Sequence, residues 1–159
     1  MQAPSDTRSG RLTAALDDFV RTSADIVGAA VVSFDGLAMA SALPRDLEED
    51  RVGAMSAALL SLGQQAAKGL TRGQLNQVFV EGDQGFVFLM SAKEQAVLVA
   101  IADHHAKIGF VLFEMRRAAE RIGDALSAPP PPPGGPIPPG PPAGSPRHRA
   151  AEEVSRARW

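Results

Sequence analysis

The stretch Gln74–Ile101, QLNQVFVEGDQGFVFLMSAKEQAVLVAI, constrains the fold more tightly than any other part of the chain. It holds three short apolar runs, Val78–Val80, Phe86–Met90 and Val97–Ile101, separated by the turn-like breaks EGDQG and SAKEQ. Runs of Val, Phe, Leu and Ile between Gly-bearing or charged breaks predict consecutive antiparallel strands joined by tight hairpins. The second and third runs do not alternate apolar with polar, because FVFLM and AVLVAI are apolar at every position. Strands that are apolar on both sides must be covered on both faces. The sheet therefore needs helices above and below it.

The rest of the chain supplies them. Leu12, Leu16, Phe19 and Val20 fall at i, i+4, i+7 and i+8, which predicts a first helix with one buried stripe. Ile26–Phe34 reads as a strand, Asp35-Gly36 as a two-residue hairpin turn, and Leu37–Ser41 as the partner strand. After Leu43-Pro44, Asp46 is placed as the N-cap of a second helix running to about Leu70. Glu48, Glu49 and Asp50 follow in its first turn, where acids offset the positive end of the dipole. Val52, Met55, Leu59, Leu62 and Ala66 are assigned to one stripe of this middle helix. Its Gly53 and Gly63 and many alanines predict close packing on the sheet, and on its second face a close approach to another helix. Ile108, Val111, Leu112, Met115, Ile122 and Leu126 mark the last helix, with Glu114, Arg116, Arg117, Glu120 and Arg121 on its other side.

Three segments result. Residues 1–10 are expected to be a flexible N-terminus, 11–127 the folded domain, and 128–159 a Pro-rich tail. Eleven of the 13 prolines lie at or beyond Pro129, in a polyproline-like spacer that cannot join a core. Residues 1–128 carry 12 basic against 16 acidic groups, a net of −4, and the tail carries four Arg against two Glu.

No catalytic apparatus emerges. The net charge of −2 gives no case for nucleic-acid binding, and the lack of cysteine removes disulfides, thiol nucleophiles and Cys-ligated zinc. There is no serine elbow of the GxSxG kind. GQQAAKG at 63–69 fails the P-loop pattern and sits at a helix end. Asp103, His104 and His105 adjoin, but neighbouring side chains are expected to point apart, so neither a metal site nor a cofactor is expected. No apolar run is long enough to span a membrane. A cytoplasmic protein acting by binding is the expectation, with any recruitment to a membrane or cell pole made through a partner.

The segments LDDFVRTSADIVGAAVVSFDGLAMAS at 16–41, QVFVEGDQGFVFLM at 77–90 and AVLVAIADHHAKIGFVLFEMRRAAERIG at 96–123 resemble the roadblock family, which holds roadblock-type dynein light chains and bacterial MglB-like partners of Ras-like GTPases. The resemblance covers residues 11–127 and excludes the tail. It implies an α+β fold, a five-stranded antiparallel sheet flanked by helices on both faces in the order α-β-β-α-β-β-β-α. It also implies a homodimer in which middle helices pack together and third strands pair edge to edge. The matching positions here are Met55, Leu59, Leu62 and Ala66 on the helix, and Gln74, Asn76, Val78 and Val80 on the strand. The family further implies a Ras-like GTPase held on the middle-helix side, in some members with stimulated hydrolysis. No motif transfers that activity, but Arg45, Arg51, Gln64, Gln65, Lys68 and Arg72 are candidates for such a face. Two other readings stay open: a small-ligand sensor of the PAS or profilin-like sort, with a polar-lined pocket between sheet and helix, and a structural subunit of a larger heteromeric complex.

Overall fold

The computed structural model describes residues 7–127; the expected Pro-rich tail and most of the expected flexible N-terminus lie outside them. The element order is α1 (Arg8–Thr22), β1 (Ile26–Val32), β2 (Ala38–Ala42), α2 (Glu49–Gly69), β3 (Gln77–Gly82), β4 (Gly85–Ala92), β5 (Ala96–Asp103) and α3 (Ile108–Ser127). The five strands form one antiparallel sheet in the spatial order β2-β1-β5-β4-β3. The α+β architecture read from the sequence is the one observed.

The alternation of side chains across each strand explains the two cores. Ala29, Val31, Phe86, Phe88, Met90, Leu98 and Ala100 point to one face, where they meet Leu12, Leu16 and Phe19 of α1 and Val111, Met115 and Ile122 of α3. Ala30, Val32, Leu89, Val97 and Val99 point to the other face, under Val52 and Leu60 of α2. Both central strands are thus buried on both sides, as their uninterrupted apolar runs require.

Four local details differ from expectation. α1 begins at Arg8, with the Thr7 hydroxyl accepting from the Gly10 N–H at 2.9 Å, so the folded domain starts earlier than residue 11. The β1–β2 connection is longer than two residues: the Gly36 N–H donates to the Ser33 carbonyl at 3.0 Å and Ser33 N–H to the Leu37 carbonyl at 2.8 Å. Gly36 sits there at φ +93°, a conformation that favours glycine. Asp46 does not cap α2, because residues 44–47 form a turn closed by Leu47 N–H to the Pro44 carbonyl at 3.0 Å; Glu48 takes the N-cap place without a side-chain bond. β3 starts at Gln77, so Gln74 and Asn76 precede the strand instead of belonging to it.

The close packing expected of the glycines in α2 is present. A Cβ added at Gly53 would come within 2.3 Å of the Gly36 carbonyl oxygen, and one at Gly63 within 3.0 Å of the Leu75 side chain. Glycine therefore sets α2 directly on the β1–β2 turn at one end and on the approach to β3 at the other.

Candidate partner-binding site

The middle helix carries two apolar stripes, not one. Val52, Gly53, Ser56 and Leu60 form the buried stripe. Met55, Leu59, Leu62 and Ala66 recur at i, i+4, i+7 and i+11 and form a second stripe, turned away from the sheet. Met55 is 52% and Leu62 63% exposed, Ala66 is exposed and Leu59 half-buried. Grouping Val52 with these four is corrected by its burial: at about 100° per residue it lies at the border of the two stripes, but it is buried against the sheet with Leu60.

β3 is an edge, paired only with β4, from Gln77↔Met90 to Gly82↔Gly85. Its outer N–H and C=O groups are therefore free of ladder partners. Val78 and Val80 face the α2 side, Val78 half-buried and Val80 exposed. The other edge, β2, is shorter, and Ser41 Oγ donates to Glu49 Oε2 of α2, which ties that edge to the helix.

On the α2 side of the sheet, Val27, Val80, Val87 and Ile101 line a shallow apolar hollow of about 430 Å³, rimmed by Asp83, Gln84 and Asp103. Val27, the residue left unpaired where the β1–β5 register shifts, is 48% exposed. Sequence reasoning missed Val27 because it sits inside a run that is otherwise wholly buried.

All six candidate GTPase-face residues, Arg45, Arg51, Gln64, Gln65, Lys68 and Arg72, are exposed. They do not form one patch within a protomer. Arg45 and Arg72 flank a helix of 21 residues, which at 1.5 Å per residue separates them by roughly 30 Å. Gln64 instead joins Gln74 and Asn76 in an open groove of about 610 Å³ with Phe34, Leu60 and Lys93. Among the described residues no ion pair involves α2. Arg51 and Lys68 thus keep their charges available to a partner.

The side chains of Asp103, His104 and His105 do converge, correcting the expectation that they diverge. The imidazole centroids are 3.9 Å apart, and potential ligand atoms of all three residues lie within 4.8 Å of one another. The Asp103 carboxylate accepts from the His105 backbone N–H at 3.0 Å and lies 2.9 Å from His104 Nδ1. The backbone hydrogen bond, aided by the neighbouring imidazoles, holds its pKa below the ordinary carboxylate value. The sensor reading requires polar groups facing an interior pocket. Among the described residues the buried polar side chains are Ser23 and Ser56, and the Ser56 hydroxyl donates to the Val52 carbonyl at 2.7 Å.

A model of the Roadblock/LC7 domain family matches residues 12–102. An uncharacterised protein of Methanocaldococcus jannaschii, MJ1340, is 36% identical over 97 residues, which span 61% of this chain and 84% of that protein. The crystal structure of a Roadblock/LC7 domain from Streptomyces avermitilis superposes with a TM-score of 0.68 at 24% identity, covering 73% of this chain and 98% of the other. An MglB with a tetrameric arrangement gives 0.67 at 22% identity, covering 79% and 92%.

Proposed function

The chain belongs to the Roadblock/LC7 domain family, and from that premise we propose that it is a homodimeric regulator or scaffold for a Ras-like small GTPase. The carrying observation is that one side of the molecule presents both an apolar helix stripe, Met55–Leu59–Leu62–Ala66, and an unpaired strand edge, β3. The two features satisfy each other in a second copy. β3 edges pair antiparallel about a two-fold axis, and the α2 stripes meet across that axis. A non-closing arrangement would leave a strand edge open, whereas two-fold pairing closes it. The tetrameric arrangement of an MglB of like fold is in keeping with self-association.

The same symmetry would gather five of the six polar candidates, Gln64 excepted. With α2 helices antiparallel, Arg45 and Arg51 of one subunit come toward Gln65, Lys68 and Arg72 of the other. The dimer then carries two mixed cationic and amide surfaces where each protomer alone has only separated ends. On this reading that surface holds the GTPase, and the chain contributes by binding and reshaping, with no catalytic group of its own.

Mixing the purified protein with the Ras-like GTPase encoded nearest to it tests the partner. A complex in the GTP- or GDP-bound state is expected; no complex in either state overturns the reading, and a complex without faster hydrolysis leaves a scaffold. For the dimer, ladder donors alternate sides along a strand, so either Val78→Pro or Glu81→Pro removes an outward N–H without touching the β4 pairing. One of the two is expected to halve the mass in solution, and an unchanged mass in both sinks edge pairing.

A further inference from the structure

α3 exposes two aromatic rings on the side that faces neither the sheet nor the proposed dimer surface. Phe110 is 54% and Phe113 51% exposed, and their spacing of three places them side by side on the helix. The Arg117 guanidinium lies over the Phe113 ring, 5.8 Å from its centroid. The other ring contacts among the described phenylalanines are internal to Phe79, Phe86 and Phe88, so no described ring covers Phe110. Around the two rings the outer face is charged, through Arg116, Glu120 and Asp124. Two exposed rings in a charged surface, one of them with a guanidinium over its face, have the chemistry of an aromatic docking strip.

We propose that this strip docks the chain's own Pro-rich segment, Pro129–Pro142. Two considerations select that occupant. Polyproline chains pack their pyrrolidine rings on flat aromatic surfaces and need few backbone hydrogen bonds, because they are already extended before binding. The segment is attached at the right place: Ser127 ends the very helix that bears the rings, and Phe113 lies 14 residues back, about 21 Å along the axis. At polyproline spacing its fourteen residues, ten of them proline, would reach at most about 43 Å, enough to pass both rings if the chain reverses after Ser127.

Tethering makes a weak interaction sufficient. A short linker holds the segment at a local concentration in the millimolar range, so an affinity that would fail between separate molecules populates the docked state. The docked segment runs along α3 and leaves the α2 and β3 side free. It is thus independent of the homodimer and GTPase reading, and either can fail without the other.

The test is backbone NMR relaxation on the full-length chain, read at the amides of Gly134, Gly135, Ile137 and Gly140. In the native protein their order parameters are expected to exceed the ~0.6 that bounds a flexible backbone. The double variant Phe110→Ser/Phe113→Ser is expected to drop them below it; both side chains are exposed, and an unchanged circular dichroism melt confirms the fold. Reciprocally, serines in place of Pro129–Pro133 are expected to shift the Phe110 and Phe113 amides. Native values already below ~0.6, or values that ignore the double variant, overturn the proposal. So does a docked state that disappears on dilution, which would assign the strip to the tail of another copy.

Discussion

On one face of the sheet, α1 and α3 enclose 22 buried apolar residues, from Leu12 to Leu126; on the other, α2 alone shelters seven. The first face is also fastened at its rim, where Asp18 holds Arg121 across the two helices and Lys93 of the β4–β5 turn holds Asp124. The second leaves Met55, Leu62, Val27 and Val80 in solvent. Both faces are built from the same strands, so strand composition does not explain the difference. The number of helices does: two helices span the width of five strands and one does not. What remains uncovered on the α2 side is the apolar surface that the proposed homodimer would cover with the α2 of a second copy.

The contrast is broken most severely by emptying the closed face. Phe88 is 1% exposed and packs its ring 5.2 Å from Phe79 and 6.0 Å from Phe86. Phe88→Ala is expected to cost about 3–5 kcal/mol, since the walls of the cavity can relax only in part. Urea unfolding at fixed protein concentration measures it. A loss below ~1 kcal/mol would mean that the face is not packed as described.

A glycine pair separates packing from propensity on the α2 side. Gly53→Ala places a methyl against the Gly36 carbonyl, a backbone atom that cannot swing away, and is expected to cost about 1–3 kcal/mol. Gly69 ends the same helix with nothing within 4 Å of an added Cβ. Gly69→Ala is expected to be neutral or to stabilise by up to ~1 kcal/mol through helix propensity and a less disordered unfolded chain. Equal effects at both positions in the same unfolding assay would show that α2 does not rest on the β1–β2 turn.

The architecture was legible because every strand and helix declares itself locally. FVFLM and AVLVAI demand two-sided cover, and the stripes of α1 and α3 point one way. The candidate surface was legible only in part. Period alone put Val52 and Met55 on one stripe of α2, because a helix with small residues on both sides shows no polar boundary from which to phase it. Phe113 was hidden for the opposite reason, lying among Glu114, Arg116 and Arg117 on a face already assigned to charge. Asp46 looked like a cap because the turn that Pro44 starts, which consumes it, is a matter of backbone geometry. Phase and exposure depend on neighbours distant in sequence, which a single sequence lacks, whereas the cap was decided by a turn only four residues long.

On the open face the expected effect moves from folding to association. Leu62→Asp puts a charge where the side chain is 63% exposed, so the unfolding free energy of the dissociated chain is expected to change by less than ~0.5 kcal/mol. In the proposed dimer the same carboxylate would be desolvated, and sedimentation is expected to report a monomer. Loss of folding without loss of association would place Leu62 in the wrong layer.

The smallest effect tests the rim of the closed face. Asp18 accepts from Arg121 Nη1 at 2.8 Å and from Arg21 Nη2 at 3.1 Å. The Arg121 hydrogen bond, then that of Arg21, holds its carboxyl below the ordinary value of 3.8. A pKa lowered by folding gives stability that is present above the unfolded value and lost as pH falls through the folded one. Asp18→Asn is therefore expected to lower the urea midpoint slightly at pH 7, as solvent-exposed ion pairs do. The gap between variant and native should narrow below the ordinary carboxylate pKa and close once Asp18 is protonated in the folded state. It should also shrink in high salt, where exposed charges are screened. A gap that persists unchanged in acid would show that Asp18 acts through packing and not through its charge. The α1–α3 rim would then be held as the core is, by shape, and the ion pairs would no longer distinguish the closed face from the open one.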